Sequence, residues 1–142
     1  MLRQTFLHIP GIGQKTEGRL WQEGIDEWDR VEPDRLNLGP KRRQQFVRYL
    51  DRSQRELENS NARFFADHLP AGAHWRLLPE FRLRVAHVDI ETTGLMWPMD
   101  HITTIALYDG DNVFHYVHGR NLDRFTRDIA GYDLIVTYNG KC

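Results

Sequence analysis

The stretch Arg84-Val85-Ala86-His87-Val88-Asp89-Ile90-Glu91-Thr92-Thr93-Gly94-Leu95 decides how the chain is read. Residues 84–91 are compact, β-branched and largely apolar, which suits a central strand. Side chains two apart in a strand leave the same face, so Asp89 and Glu91 point together while Ile90 points into packing. Two carboxylates at the end of a buried strand repel each other and are costly to desolvate. A hard divalent cation removes that cost. Mg²⁺ or Mn²⁺ prefers oxygen ligands and keeps room for waters and a phosphate. Two such ions about 4 Å apart activate a water and stabilise the leaving oxygen of a phosphodiester. The plainer alternative makes Asp89 a turn cap and leaves Glu91 solvated. A phosphate-cradling D-x-G-T-T turn is a poor fit, because Glu91 stands where that turn needs glycine.

Outward from the strand, residues 92–99 read as a turn or loop. Residues 102–108 and 113–118 flank Asp109-Gly110-Asp111-Asn112, a hairpin signal. Residues 121–130 predict a helix whose Leu122, Phe125 and Ile129 share one face, and 133–138 predict a further strand. Three strands, a helix and a strand give an α/β fold with a mixed sheet.

VDIETTGL, over 88–95, resembles the first motif of the DEDD exonucleases of the ribonuclease-H-like superfamily. ITTIALYDG and DLIVTYNGK resemble that family's following strands and the approach to its second motif. The nearest likeness is to the YprB-type branch, predicted exonucleases with a helical front segment; it includes the WRLLPEF stretch and runs through most of the chain. The resemblance implies a mixed five-stranded sheet flanked by helices and two-metal hydrolysis of nucleic-acid phosphodiesters, usually from a 3′ end. It makes Asp89 and Glu91 the first two ligands of a Mg²⁺ or Mn²⁺ site and the catalytic pair. It also puts Thr92, Thr93 and Leu95 beside the substrate, with Asn139 positioning either the substrate or the missing acidic segment. The family's second motif reads roughly Asn-Gly-x-x-Phe-Asp, whereas here Asn139-Gly140-Lys141-Cys142 ends the sequence. The third and fourth carboxylates and the general base of the family are missing, so the metal site is expected to be incomplete. The expectation is a truncated nuclease domain that is catalytically weak or dead alone. His87 shares the face of Asp89 and Glu91 and reads as a packed or bridging histidine. His101, His115 and His118 read as surface or hairpin residues.

The front segment reads differently. Gly11-Ile12-Gly13 precedes a helix over 14–23, and Gly24-Ile25 follows it, a layout that resembles a helix-hairpin-helix unit. Glycines permit a tight turn, and free N–H groups at the helix start face a phosphate, with Lys15 adding charge. Glu17 departs from that pattern and places a negative charge near any phosphate. The alternative is pure packing of Ile12, Leu20, Trp21, Ile25 and Trp28. Residues 26–31 form a second short helical turn. Pro40 opens a long helix to about residue 59, with Phe46, Leu50 and Leu57 on one side and Lys41, Arg48, Arg52 and Arg55 on the other. A helix over 61–69 and a loop holding Trp75 follow. Trp21, Trp28 and Trp75 are expected in the core, and Trp97 is a candidate stacking residue.

Composition sets the outer limits. The 142 residues are 27% charged and 40% hydrophobic, a globular composition with no apolar run of bilayer length. Cys142 is the only cysteine, which excludes an internal disulfide and multi-thiolate zinc, and the expected compartment is cytoplasmic. The net charge of −1 hides an asymmetry. Residues 1–83 carry 14 basic against 12 acidic side chains, and residues 84–142 carry 5 against 8. Residues 41–55 hold six cations and one acid, Asp51. The expected organisation is a helical, basic 1–83 segment before an incomplete ribonuclease-H-like sheet with a flanking helix at 84–142. Nucleic acid is the expected partner, gripped at Gly11, Gly13, Lys15, Arg48, Arg52 and Arg55, with no membrane. The rival functions are a non-catalytic nucleic-acid-binding module and a non-functional fragment.

Overall fold

Glycine and proline punctuate the front of the chain, and apolar spacing decides what lies between them. In the computed structural model, which describes residues 1–94 and 100–138, the chain divides into two units, Met1–Glu80 and Phe81–Cys142.

The front unit is helical. Helix α1 spans Gln14–Gln22, with Gly13 as its N-cap. Gly11 has φ +80 and Gly24 φ +79, the left-handed backbone that glycine adopts without strain. Helix α2 spans Pro40–Glu58 and starts on the proline, whose fixed φ suits a first turn and whose missing N–H is not needed there. Phe46 and Leu50 are buried and Arg48, Arg52 and Arg55 are exposed, as the helical spacing requires. Helix α3, Ala62–His68, is capped by Asn61, whose side chain accepts from the Phe64 N–H at 3.2 Å. The stretch expected as a loop around Trp75 is instead a 3₁₀ turn over Ala71–Leu77 running into α4, Leu78–Phe81. Ala73 and Leu77 are buried, so packing converts a loop-like composition into helix.

An aromatic cluster centres this unit. Trp28 stacks on Phe65 with centroids 6.0 Å apart, and His8 lies 5.3 Å from Trp28 and 5.6 Å from Phe65. Trp28 meets the expectation of a core tryptophan. Trp21 and Trp75 do not, being 40% and 54% exposed. The Arg76 guanidinium lies over both rings, at 5.5 and 5.6 Å, so the two indoles cover a cation and not the core.

The rear unit is a four-stranded mixed sheet in the order β3-β2-β1-β4. β1 spans Val85–Thr92, β2 Ile102–Tyr108, β3 Val113–Val117 and β4 Leu134–Thr137. β1 runs antiparallel to β2 and parallel to β4, with a 3₁₀ turn at Leu122–Arg124 and helix α5, Phe125–Ile129, in the connection. This is the mixed α/β fold expected of the rear segment. Ala86, Val88, Ile105, Leu107 and Tyr116 form its buried cluster, against which Leu122, Phe125 and Ile129 pack. The Tyr116 hydroxyl donates to Asp128 at 3.2 Å. Burial first, and that acceptor second, push the phenol up to about 12. Among the described residues no helix is long and apolar enough to cross a membrane.

Candidate functional site

The register of β1 decides which side chains meet. His87, Asp89 and Glu91 pair with Tyr108, Ala106 and Thr104 of β2, and the pairing slips only after Glu91. The two-residue alternation therefore holds through both carboxylates and places them on one face with His87. Ala86 and Val88 go to the other face and into the core.

Two expectations about this strand are corrected. Ile90 is not packed inside, since it is 44% exposed although it pairs with Ile105. The described core elements cover β1 up to Val88 and leave its end open. Asp89 and Glu91 are likewise exposed, so the carboxylate end of the strand sits in water and bears no desolvation cost among the described residues.

The face carrying Asp89 is concave. An open groove of about 340 Å³ is bordered by His87, Asp89, Ala106, Tyr108, Val136 and Tyr138. The His87 and Tyr108 rings stand 6.0 Å apart, so His87 is an exposed, ring-flanked residue and not a packed core histidine. Tyr138 is 88% exposed. Tyr108 and Tyr138 were not identified from sequence as site neighbours; only cross-strand pairing brings them to Asp89.

The turn after β1 is held by its own threonines. Thr92 Oγ1 donates to the Gly94 carbonyl at 3.0 Å. Thr93 Oγ1 accepts from the His101 N–H at 3.1 Å, and the Thr93 N–H donates back to the His101 carbonyl at 3.1 Å. The two hydroxyls therefore hold the described backbone at Gly94 and His101. His101 and His118 are exposed, as expected, and their rings lie 4.6 Å apart. Leu95, Trp97 and Asn139 lie outside the described residues, as does the Asn139–Cys142 approach to the family's second motif. Among the described residues no three His, Cys, Asp or Glu side chains cluster as a metal site.

In the front unit the glycine turn is braced from α2. Arg42 Nη2 donates to the Gly11 carbonyl at 2.7 Å, which brings a cation to the Gly11–Gly13 turn and the exposed Lys15. Glu17 does not face that turn's solvent side. It is 2% exposed and accepts from Thr5 Oγ1 at 2.6 Å and the Phe6 N–H at 2.8 Å. Arg76 Nη1 pairs with it at 3.0 Å, so its charge is compensated within the unit. Ile12, Leu20, Ile25 and Trp28 are buried as the packing alternative required, and Trp21 is not. On α2, Arg48 and Arg55 are exposed, while Arg52 pairs with Glu56 at 3.4 Å and lies 4.7 Å over the Phe64 ring. Sequence reading missed Arg42 as a brace; the Lys41-Arg42-Arg43 run is visible in sequence, but its contact to Gly11 is not.

Residues 86–142 match the family model described as the RNase_H superfamily. The matched span contains the whole of the groove face, Asp89 and Glu91 included. No curated protein and no solved structure matches the chain.

Proposed function

We propose that the rear unit is a metal-dependent nuclease module of the DEDD exonuclease kind, acting from a 3′ end, with the front unit holding nucleic acid. The observation that carries this reading is the placement of Asp89 and Glu91. They stand on one exposed face, at the end of the central strand, inside the span that matches the RNase_H superfamily model.

The donor set suits a hard cation. Two carboxylates side by side offer oxygen ligands only, and exposure leaves room for waters and for a substrate phosphate. Asp89 and Glu91 would hold Mg²⁺ or Mn²⁺, which when bound lowers the pKa of an attacking water and stabilises charge on the leaving oxygen. The chain's own residues supply position. The Asp89 groove, with Tyr108 and Tyr138 on its border, receives the end of a strand. Thr92 and Thr93, whose hydroxyls hold the Gly94 carbonyl and the His101 N–H, fix the backbone directly after Glu91. By the family resemblance, Leu95 and Asn139 are further candidates for substrate contact. Gly11, Gly13, Lys15, Arg48, Arg52 and Arg55 contact the phosphate backbone. Such contacts hold register without reading sequence.

The test pairs a binding readout with cleavage. Mn²⁺ added to the labelled chain should broaden amide resonances centred on Asp89 and Glu91, and Asp89→Ala should abolish the effect. Cleavage of 3′-labelled DNA in Mn²⁺ should be weak in residues 1–142, because the described residues bring two carboxylates and no third to the face. It should fall at least tenfold further in Asp89→Ala. Broadening elsewhere, or cleavage indifferent to Asp89→Ala, overturns the reading. A second reading, a non-catalytic nucleic-acid-binding module, is favoured by the exposed Arg48 and Arg55. It predicts salt-sensitive DNA binding without cleavage, unchanged by Asp89→Ala.

A further inference from the structure

The first turn of α2 is electrostatically unfavourable as it stands. Lys41, Arg42 and Arg43 occupy it and no acid does. Cations at a helix N-terminus oppose the helix dipole. Two of the three are tied down. Arg42 holds the Gly11 carbonyl, and Arg43 Nη2 donates to the Leu36 and Leu38 carbonyls at 3.2 and 3.4 Å. Arg43 Nε is buried with no acceptor among the described residues.

Lys41 is not tied down. With Arg48 and Arg55 it forms a row of exposed cations seven residues apart. At 1.5 Å per residue, that row repeats about every 10 Å along one side of a helix about 28 Å long. Asp51 and Glu58 are exposed on the same helix, yet neither forms an ion pair with these three among the described residues. Lys41 and Arg48 also border an open groove of about 560 Å³, which Pro33, Pro40, Val47 and Arg43 help to line. Evenly spaced, unpaired charge beside an apolar-lined groove complements a chain of repeating phosphates with sugars between them. Gln44, also on the groove, is its one uncharged hydrogen-bonding side chain, so the lining is dominated by cations and apolar groups.

We propose that the Lys41–Arg48–Arg55 row and its groove are a sequence-independent binding track for the sugar-phosphate backbone of nucleic acid. Lys41, Arg48 and Arg55 meet phosphates, while Pro33, Pro40 and Val47 lie against sugars. This track rests on the preceding assignment of nucleic acid as the partner and adds Lys41 to it.

The experiment measures anisotropy of a labelled DNA duplex with the full 142-residue chain, in EDTA, from 50 to 200 mM salt. EDTA removes any metal bridge at Asp89 and Glu91. Each duplex phosphate contact contributes about 0.9 to the slope of log affinity on log salt, or roughly 3.5-fold across this range. Lys41→Ala, Arg48→Ala and Arg55→Ala should each reduce the slope by about one, and the triple variant by about three. Arg63→Ala, which removes an exposed cation already paired with Asp67 on α3, should leave it unchanged. Circular dichroism checks that each variant folds. Wild-type binding with a slope untouched by the three substitutions overturns the track, and with it the Arg48 and Arg55 contacts, and leaves nucleic acid as the partner standing. Absence of DNA binding by the wild-type chain overturns both. Preferential binding of polyglutamate, lost in the same variants, overturns nucleic acid as the occupant and makes the groove a site for acidic protein.

Discussion

His8 shows how much one residue's surroundings can change its chemistry. It is buried beside Trp28 and Phe65. Ser53 Oγ spends its proton on the Tyr49 carbonyl at 2.7 Å, so it accepts from His8 Nε2 at 2.8 Å. Nδ1 has no partner among the described residues. Burial, and then the charge of His68, lower the His8 pKa from 6.5 to about 3. The folded state therefore keeps His8 neutral while the unfolded chain takes up a proton below pH 6.5. Stability is complete above the unfolded pKa and falls as pH drops toward the folded one. At about 1.4 kcal/mol per unit, the loss is about 2 kcal/mol by pH 5. Urea unfolding at pH 7.5 and pH 5 should show that loss, and His8→Phe should remove about that much of it. An equal pH dependence in the variant would mean that His8 is not held neutral. Little of this was visible in sequence, where His8 is one of seven histidines. Glu17 is the same kind of case. Its partner Arg76 is 59 residues away, so no local pattern could show that its charge is internally paired.

At the scale of elements the sequence was far more informative. The Asp109-Gly110-Asp111-Asn112 signal became a four-residue turn between β2 and β3, with Tyr108 paired to Val113. The Asp109 carboxylate accepts the Asn112 and Asp111 N–H groups at 2.7 and 3.0 Å, and those bonds hold its pKa below the ordinary range. Gly110 has φ +104, a conformation that suits glycine. These are local interactions, and local chemistry specifies them. Helix α2 adds a conflict between stability and binding. Lys41→Glu removes a cation and adds an acid at the helix start, so it should stabilise the fold by about 0.5–1 kcal/mol. The same substitution should weaken DNA binding. Thermal melting and the anisotropy titration would then move in opposite directions; a drop in both would assign Lys41 a structural role instead. The helical turn around Trp75 was missed because its composition is that of a loop, and only burial of Ala73 and Leu77 favours helix there.

At the scale of the whole molecule, the rear sheet leaves apolar surface in water. β4 is an edge strand among the described residues, and Ile135 on it is 57% exposed. Unpaired strand edges with apolar side chains promote association. Ile135→Lys should reduce concentration-dependent self-association in sedimentation velocity while changing the melting temperature little; unchanged association would clear this edge. The expected order of elements, the hairpin, the amphipathic α2 and the shared face of Asp89 and Glu91 all follow from interactions between near neighbours, whose periods of 3.6 and 2 residues are written into the chain. What covers each face follows from contacts between residues far apart in sequence. Those contacts turned Glu17 inward, exposed Trp21, Trp75 and Ile90, and set Tyr108 beside His87 next to Asp89. Burial depends on which distant surfaces meet, and a linear pattern of side chains carries no record of that until the chain has packed.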